Sequence, residues 1–280
     1  MSSKVIVVGK NSYVGAHLTN YLQAMDSEVL PLSSSDCDFL HLTEVIEQFD
    51  SFRNRPVSIV FLAVIKKDAS NDYQSYLDNI SLVNNLIKVA SRTNICSIVY
   101  LSSVDVYGRG PVLPIIEQTR IDPDTWYGLA KYTCERMLIL AESVECPITI
   151  LRIPGIFGKG SADSSVIGRM VASARADGHI MISGSGETLR DYVYVDDLCE
   201  LIAMLIHKKY KGVINIATGK SRTILDIAKC VGQILNIELE IIGVERDART
   251  FDLVFDTGRL KEIFPEFRFI ELPTAIAAYM

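Results

Sequence analysis

Val7-Val8-Gly9-Lys10-Asn11-Ser12-Tyr13-Val14-Gly15 is the stretch whose reading decides the architecture. It closes the apolar run Val5–Val8, turns at Gly9, and opens a segment in which Val14, Leu18, Tyr21, Leu22 and Met25 recur at helical spacing. A strand that turns through glycine into a helix is the first half of a βαβ unit. Gly9 would make the tight turn, and Gly15 would let the helix pack close to the strand. The helix N-terminus, at Tyr13 and Val14, would then face a pyrophosphate with its N–H groups. Ser12 stands where a third glycine is usual. Its Cβ limits how closely backbone approaches phosphate, and its hydroxyl could donate to one instead. The alternative is a strand-to-helix turn whose glycines serve packing alone.

Outward from this turn the pattern repeats. Val29–Leu32 and Val57–Leu62 read as strands, Leu77–Val89 as a helix, Ser97–Leu101 as a strand, Tyr127–Ala141 as a helix and Ile148–Ile153 as a strand. Such continuous apolar runs fit strands buried on both faces, and alternation with helices implies right-handed crossovers in a doubly wound parallel sheet. Beyond Gly155 the rhythm loosens. Helices are expected at Ser164–Asp177, Val195–His207 and Thr223–Leu235. The expected fold is α/β, a Rossmann-type sheet with a smaller C-terminal lobe over the carboxyl ends of the strands, where ligands of such sheets bind. Residues 1–154, with about 193–217, would form the dinucleotide-binding domain, and 155–192 with 218–280 the substrate lobe.

The chain has 280 residues, 49% of them hydrophobic, which suffices for a large core. A net charge of −6 with both signs interspersed lacks the basic patch that nucleic-acid binding needs. No apolar run approaches a membrane span, and the opening residues lack a signal-peptide core, so a cytoplasmic protein is expected. Six scattered cysteines show no metal spacing and read as small core residues in a reducing compartment; no metal site is expected.

Strand two ends in Leu32-Ser33-Ser34-Ser35, without the Asp or Glu that grips the ribose of NAD. Lys10 is the nearest cation to a 2′-phosphate, which tilts the expectation from NAD toward NADP; a solvated surface lysine is the alternative. Tyr127 and Lys131 stand at i, i+4 spacing on one helix face. A phenol with a pKa near ~10 is a poor base at neutral pH, but an adjacent ammonium lowers that value and lets tyrosine exchange a proton with a substrate hydroxyl.

The pair follows Leu101-Ser102-Ser103-Val104-Asp105-Val106-Tyr107-Gly108 and precedes Leu151-Arg152…Phe157-Gly158 and Gly184-x-Gly186-x-x-x-Arg190-Asp191-Tyr192-Val193-Tyr194-Val195-x-Asp197. In these motifs, over nearly its whole length, the chain resembles the extended short-chain dehydrogenase/reductases that epimerise, dehydrate or reduce nucleotide sugars. The resemblance implies that Ser103 hydrogen-bonds the reacting oxygen, that Tyr127 is the general acid or base, and that Lys131 holds the nicotinamide ribose and tunes Tyr127. It implies that Leu62 and Ala63, after the fourth strand, line the cofactor, as does Pro154. Asp38-Phe39, after the third strand, would meet adenine, or Asp38 is a plain loop carboxylate. Asn79 would contact the cofactor region or serve helix packing. Arg190 and Arg249 would hold the substrate diphosphate, while Asp191 and Asp197 would be structural.

The departures narrow the chemistry. Dehydratases of this kind carry an Asp-Glu pair where this chain has Val104 and Asp105, so elimination of water is not expected. Asp105 is either a second acid/base at the substrate or a cap. Gly155 replaces an Asn that galactose epimerases present to substrate, and the chain is short for an epimerase. Reduction of a nucleotide-linked 4-keto-6-deoxyhexose is therefore the first expectation. A C4 epimerase with tightly bound NAD is the alternative, and a silent NAD(P)-binding regulator the second. The partner is the nucleotide sugar, with no nucleic acid or membrane. A homodimer through Leu77–Val89 and Tyr127–Ala141 is possible.

Overall fold

The short apolar runs form strands and the periodic segments form helices in the computed structural model, which describes residues 4–65, 71–141, 143–161, 165–237, 240–244 and 251–279. In chain order these are β1 (Lys4–Val8), α1 (Tyr13–Ala24), β2 (Val29–Leu32), α2 (Leu42–Asp50), β3 (Val57–Phe61), α3 (Tyr73–Ala90), β4 (Ile95–Ser103), α4 (Trp126–Leu140), β5 (Ile148–Ile153) and β6 (Gly155–Phe157). Then come α5 (Val166–Asp177), β7 (His179–Ser183), β8 (Leu189–Arg190), β9 (Tyr192–Tyr194), α6 (Val195–Lys208), β10 (Gly212–Asn215), β11 (Arg222–Thr223), α7 (Ile224–Leu235), β12 (Glu240–Val244), α8 (Gly258–Ile263) and α9 (Leu272–Tyr279). A 3-10 turn, Val104–Tyr107, follows β4.

The expected Rossmann-type sheet is present. Six strands lie in the order β10-β5-β4-β3-β1-β2, and β1 pairs in parallel with both β2 and β3. The chain order reverses about β1, the switch point at which such sheets bind ligands. β2 is the edge strand, which is why it tolerates Pro31 without losing a ladder bond inside the sheet. Helix α3 begins four residues earlier than its apolar periodicity suggests, at Tyr73. Asp72 accepts the Ser75 N–H at 2.8 Å while Ser75 Oγ accepts the Asp72 N–H at 3.2 Å, a capping box that extends the helix. Helix α2 has no counterpart in the sequence reading.

Two assignments of order are corrected. Leu62-Ala63 follow the third strand, and Asp38-Phe39 follow the second. The segment after β2 is turn rather than strand, because the N–H groups of Asp36 and Cys37 both return to Ser33 O at 3.0 Å.

The chain divides into two compact units. The first comprises Met1–Gly108, Ile121–Arg152 and Cys199–Ile214, and the second Arg109–Arg120, Ile153–Leu198 and Asn215–Met280. Residues 109–120 go with the second unit, unlike the division read from sequence. The physical reason is pairing: Ile115 N–H donates to Val254 O at 2.7 Å and Ile115 O accepts from Asp256 N–H at 3.0 Å. The core of the first unit gathers Ile6, Val8, Phe39, Phe49, Ile59, Phe61, Leu86, Leu138 and Ile150. The second packs α5, α7 and α9 through Ile167, Val171, Ile227, Val231 and Ile276. None of the six cysteines is in a disulfide. No helix among the described residues is long and apolar enough to cross a membrane.

Candidate active site

In the first unit, the glycine turn is shaped by contacts that leave no room for side chains. Gly9 has φ +101°, and a Cβ there would sit 3.0 Å from the backbone of Leu62 and Ala63. A Cβ on Gly15 would fall 2.2 Å from Gly9 O. The turn is pinned to β2, since the N–H groups of Gly9 and Lys10 donate to Leu32 O at 2.8 and 3.0 Å. Ser12 is the N-cap of α1: its Oγ accepts the Gly15 N–H at 3.0 Å and donates to Gly9 O at 2.7 Å. The hydroxyl proton is thus committed to the turn, where the sequence reading had it available to a phosphate. Tyr13 and Val14 open the helix, and Tyr13 stacks edge-on to His17 at 5.0 Å.

Beside this turn lies a cavity of about 420 Å³ lined by Gly9, Asn11, Ser12, Ser33, Asp38 and Ala63, among others. Leu62 and Phe39 also line it, although the Phe39 ring is buried in the core, edge-on to Phe49 and Phe61. Asp38 Oδ1 accepts the Leu40 N–H at 2.9 Å. Asn79 acts on the cavity at one remove. Its carboxamide accepts from Ile65 N–H at 3.0 Å and donates to Ile65 O at 3.2 Å, holding the loop that leaves β3. A glycine cradle that a Cβ would fill, a helix N-terminus and an adjoining cavity fit a dinucleotide.

An acid does reach the tip of β2, contrary to the sequence reading. Asp36 Oδ2 accepts the Ser33 N–H at 2.8 Å and the Ser33 hydroxyl at 2.5 Å, and pairs with Lys10 Nζ at 2.8 Å. Lys10 and the Ser33 donors hold the exposed Asp36 carboxyl well below the usual carboxylate range. Lys10 is therefore already partnered. The turn after β2 folds Asp36 back by four residues, which a motif tied to the strand end does not register.

Ser103, Tyr127, Lys131 and Asp105 all belong to the first unit. Ser103 ends β4 and caps the 3-10 turn, its Oγ accepting the Asp105 N–H at 3.1 Å; its hydroxyl proton remains a donor. Helix α4 approaches this turn at Gly128, where a Cβ would lie 2.6 Å from Asp105 O. Gly108, with φ +68°, likewise lets the chain pass, since a Cβ would meet Asp122 O at 1.8 Å. Lys131 is 4% exposed; its Nζ donates to Leu101 O at 2.6 Å and lies 5.8 Å from the Tyr127 ring centre. Burial pulls the Lys131 ammonium down to about 8.

Sequence reasoning missed the acid behind this face. Glu135, one turn beyond Lys131, is buried and takes a forked ion pair from Arg152, with Nη2–Oε2 at 2.7 Å and Nε–Oε1 at 3.0 Å. Ser102 Oγ donates to Glu135 at 2.5 Å, and Arg152 Nη1 donates to Tyr107 Oη at 3.0 Å. A carboxylate between Cys134 and Leu138, one turn beyond Lys131 on the buried side of α4, was the available signal.

The second unit holds Pro154 and Arg190. Arg190 Nη1 donates to Leu189 O at 2.8 Å and to Phe251 O, and its guanidinium lies 5.6 Å from the Phe251 ring. Burial lowers its pKa. Arg222, opposite Arg190 in the β8–β11 pair, lines the same cavity together with Tyr192 and Lys220. Glu271 lines it too and pairs with Lys220, so it is the charge of Arg190 and Arg222 that suits an anionic ligand. Arg249 lies outside the described residues. Asp191 accepts from Thr218 N–H and Oγ1 at 3.0 and 2.9 Å and from Gly219 N–H at 2.9 Å, and Asp197 from Ile270 N–H at 3.0 Å, so both brace loops. Among the described residues no cluster of His, Cys, Asp and Glu could hold a metal.

The family model described as "NAD dependent epimerase/dehydratase family" matches residues 5–217. A UDP-glucose 4-epimerase of Lactobacillus helveticus is 23% identical over 93% of this chain and 90% of its own. The structure of RMD from Pseudomonas aeruginosa complexed with NADPH superposes with a TM-score of 0.87 at 22% identity, covering 99% of this chain and 97% of that one. A UDP-N-acetylglucosamine 4-epimerase from Methanobrevibacter ruminantium M1, in complex with UDP-N-acetylmuramic acid, gives 0.86 at 21% identity over 100% and 97%.

Proposed function

This chain belongs to the NAD dependent epimerase/dehydratase family, and on that premise we propose that it reduces a nucleotide-linked 4-keto-6-deoxyhexose with a nicotinamide dinucleotide. The observation that carries the reading is a buried Lys131 ammonium beside the Tyr127 ring, on a helix packed at Gly128 against the turn that Ser103 caps. The dinucleotide would be held by the Gly9–Gly15 turn and the lining of its cavity, and when bound it supplies the hydride. Tyr127 Oη then gives the proton to the carbonyl oxygen, and Lys131 stabilises the phenolate left behind. Ser103 donates a hydrogen bond to the same oxygen and fixes its position. Within the second unit, Arg190 and Arg222 form a cationic patch of the kind that suits a diphosphate.

Two features favour reduction. Val104 is buried and apolar where the elimination pair would begin. Gly155 packs under the Tyr192 ring, where a Cβ would lie 2.5 Å from a ring carbon, so no side chain can reach substrate from this position. The epimerase relatives support a second reading, C4 epimerisation with a retained cofactor. The third, a silent regulator, is weakened by the presence of Ser103, Tyr127 and Lys131 together.

The test adds reduced cofactor and a dTDP-linked 4-keto-6-deoxyhexose. Stoichiometric loss of reduced-cofactor absorbance is expected, and Tyr127→Phe should slow it by about 10²–10⁴-fold. Interconversion of UDP-glucose and its C4 epimer with no net cofactor change would replace this reading by the second. Cofactor binding without turnover of any sugar nucleotide would replace it by the third.

A further inference from the structure

Tyr127 is the second residue of α4, in the turn of a helix whose N–H groups have no partner within the helix and whose ends fray. A proton donor must nevertheless be held to a fraction of an ångström. Two sets of contacts, one from α3 and one from Asn71 just ahead of it, oppose that fraying. The Tyr127 N–H donates to Asn71 Oδ1 at 3.1 Å. Trp126, the residue before it, sets its ring 5.6 Å from those of both Tyr73 and Tyr76, which stack on each other at 6.2 Å. The Asp72–Ser75 capping box begins directly after Asn71 and fixes the start of α3, so Asn71 leads straight into a capped helix. Thr125 caps the next N–H, that of Gly128, at 3.0 Å.

We infer that Asn71 and Trp126 are positioning residues for Tyr127. Asn71 satisfies the N–H of the residue that carries the phenol, and the Trp126–Tyr73–Tyr76 cluster clamps the same turn from its solvent side. Neither residue lines the cavity beside the glycine turn, and Trp126 and Tyr73 are 40% and 58% exposed, so the cluster adds little to the core. Its rings pack chiefly on one another across the two helix starts. The inference rests on Tyr127 being the proton donor.

The chain has a single tryptophan, so its fluorescence reports this turn alone. In full-length Asn71→Ala, Trp126 emission should shift to the red and acrylamide quenching should rise, with the circular dichroism spectrum and melting temperature unchanged. Turnover of NADPH and a dTDP-linked 4-keto-6-deoxyhexose should fall roughly 5- to 20-fold in kcat, as expected for a displaced catalytic group, with the cofactor Kd unchanged. Asn71→Asp keeps an acceptor, favoured at a helix N-terminus, and should restore both the quenching and kcat. Unchanged quenching in Asn71→Ala, or failure of Asn71→Asp to restore it, overturns the anchoring. Altered quenching with an undiminished kcat overturns the positioning role. Tyr127→Phe separates the premise from the inference: full turnover in that variant means that Tyr127 is not the donor, while the quenching of Asn71→Ala still reports the anchor.

Discussion

Lys131 shows how a single residue ties site chemistry to stability. Its ammonium is buried, and desolvation brings its pKa down to about 8, below the ordinary 10.5. Between these values the unfolded chain binds the proton and the folded chain does not, so stability rises with pH through that window. Below about 8 both states are charged and the full penalty is present. Lys131→Met should therefore be more stable than the wild type at pH 7, and the gap should close between pH 8 and 10.5 in urea unfolding. A gap independent of pH would show that Lys131 is not desolvated. Asp36 and Lys10 set a second expectation. A 2′-phosphate must share Lys10 with Asp36, 2.8 Å away. Asp36→Ala should tighten NADPH binding more than NADH binding, and Lys10→Ala in that background should reverse the gain, as read by cofactor titration.

At the scale of elements, α4 organises the candidate site. Tyr127, Lys131 and Glu135 recur every four residues along one side of it. The last of them bonds Arg152 on β5 and Ser102 on β4, so the helix face that carries the phenol and the ammonium is bolted to two strands. A buried pair that loses one partner leaves a charge without compensation, at a cost of about 3–5 kcal/mol. Glu135→Ala and Arg152→Ala should each lose that much in denaturant unfolding. The double replacement Glu135→Leu with Arg152→Met should lose much less, because no charge remains buried. Equal losses in single and double variants would assign the cost to packing rather than charge.

The whole molecule raises the question of its assembly. Ile139 and Leu140, at the end of α4 remote from Trp126, are 50% and 64% exposed, and α3 packs alongside α4. We propose a homodimer through these two helices, with a light-scattering mass twice the 31.1 kDa of the chain. Ile139→Glu with Leu140→Glu should yield the monomer; a monomeric wild type removes the proposal. Much of this molecule was legible in the sequence by itself. Short apolar runs alternating with 3.6-residue periodicity determined β1 to β5 and the helices α1, α3 and α4 among them, and hence the parallel sheet. The spacing of Gly9 and Gly15 determined a tight turn, and that of Tyr127 and Lys131 a shared helix face, because both depend only on backbone geometry within one or two turns. What the tertiary structure alone decided were the meetings of residues far apart in the chain. Asn71 reaches Tyr127, Glu135 takes Arg152, and Asp191 catches Thr218 and Gly219. Asp36 belongs with them despite its nearness to β2, since only the folded turn brings it to Lys10. Local periodicity encodes which face of an element is apolar. It carries no record of the loop path or helix packing that brings one polar group to another, and those partners are what orient the candidate site.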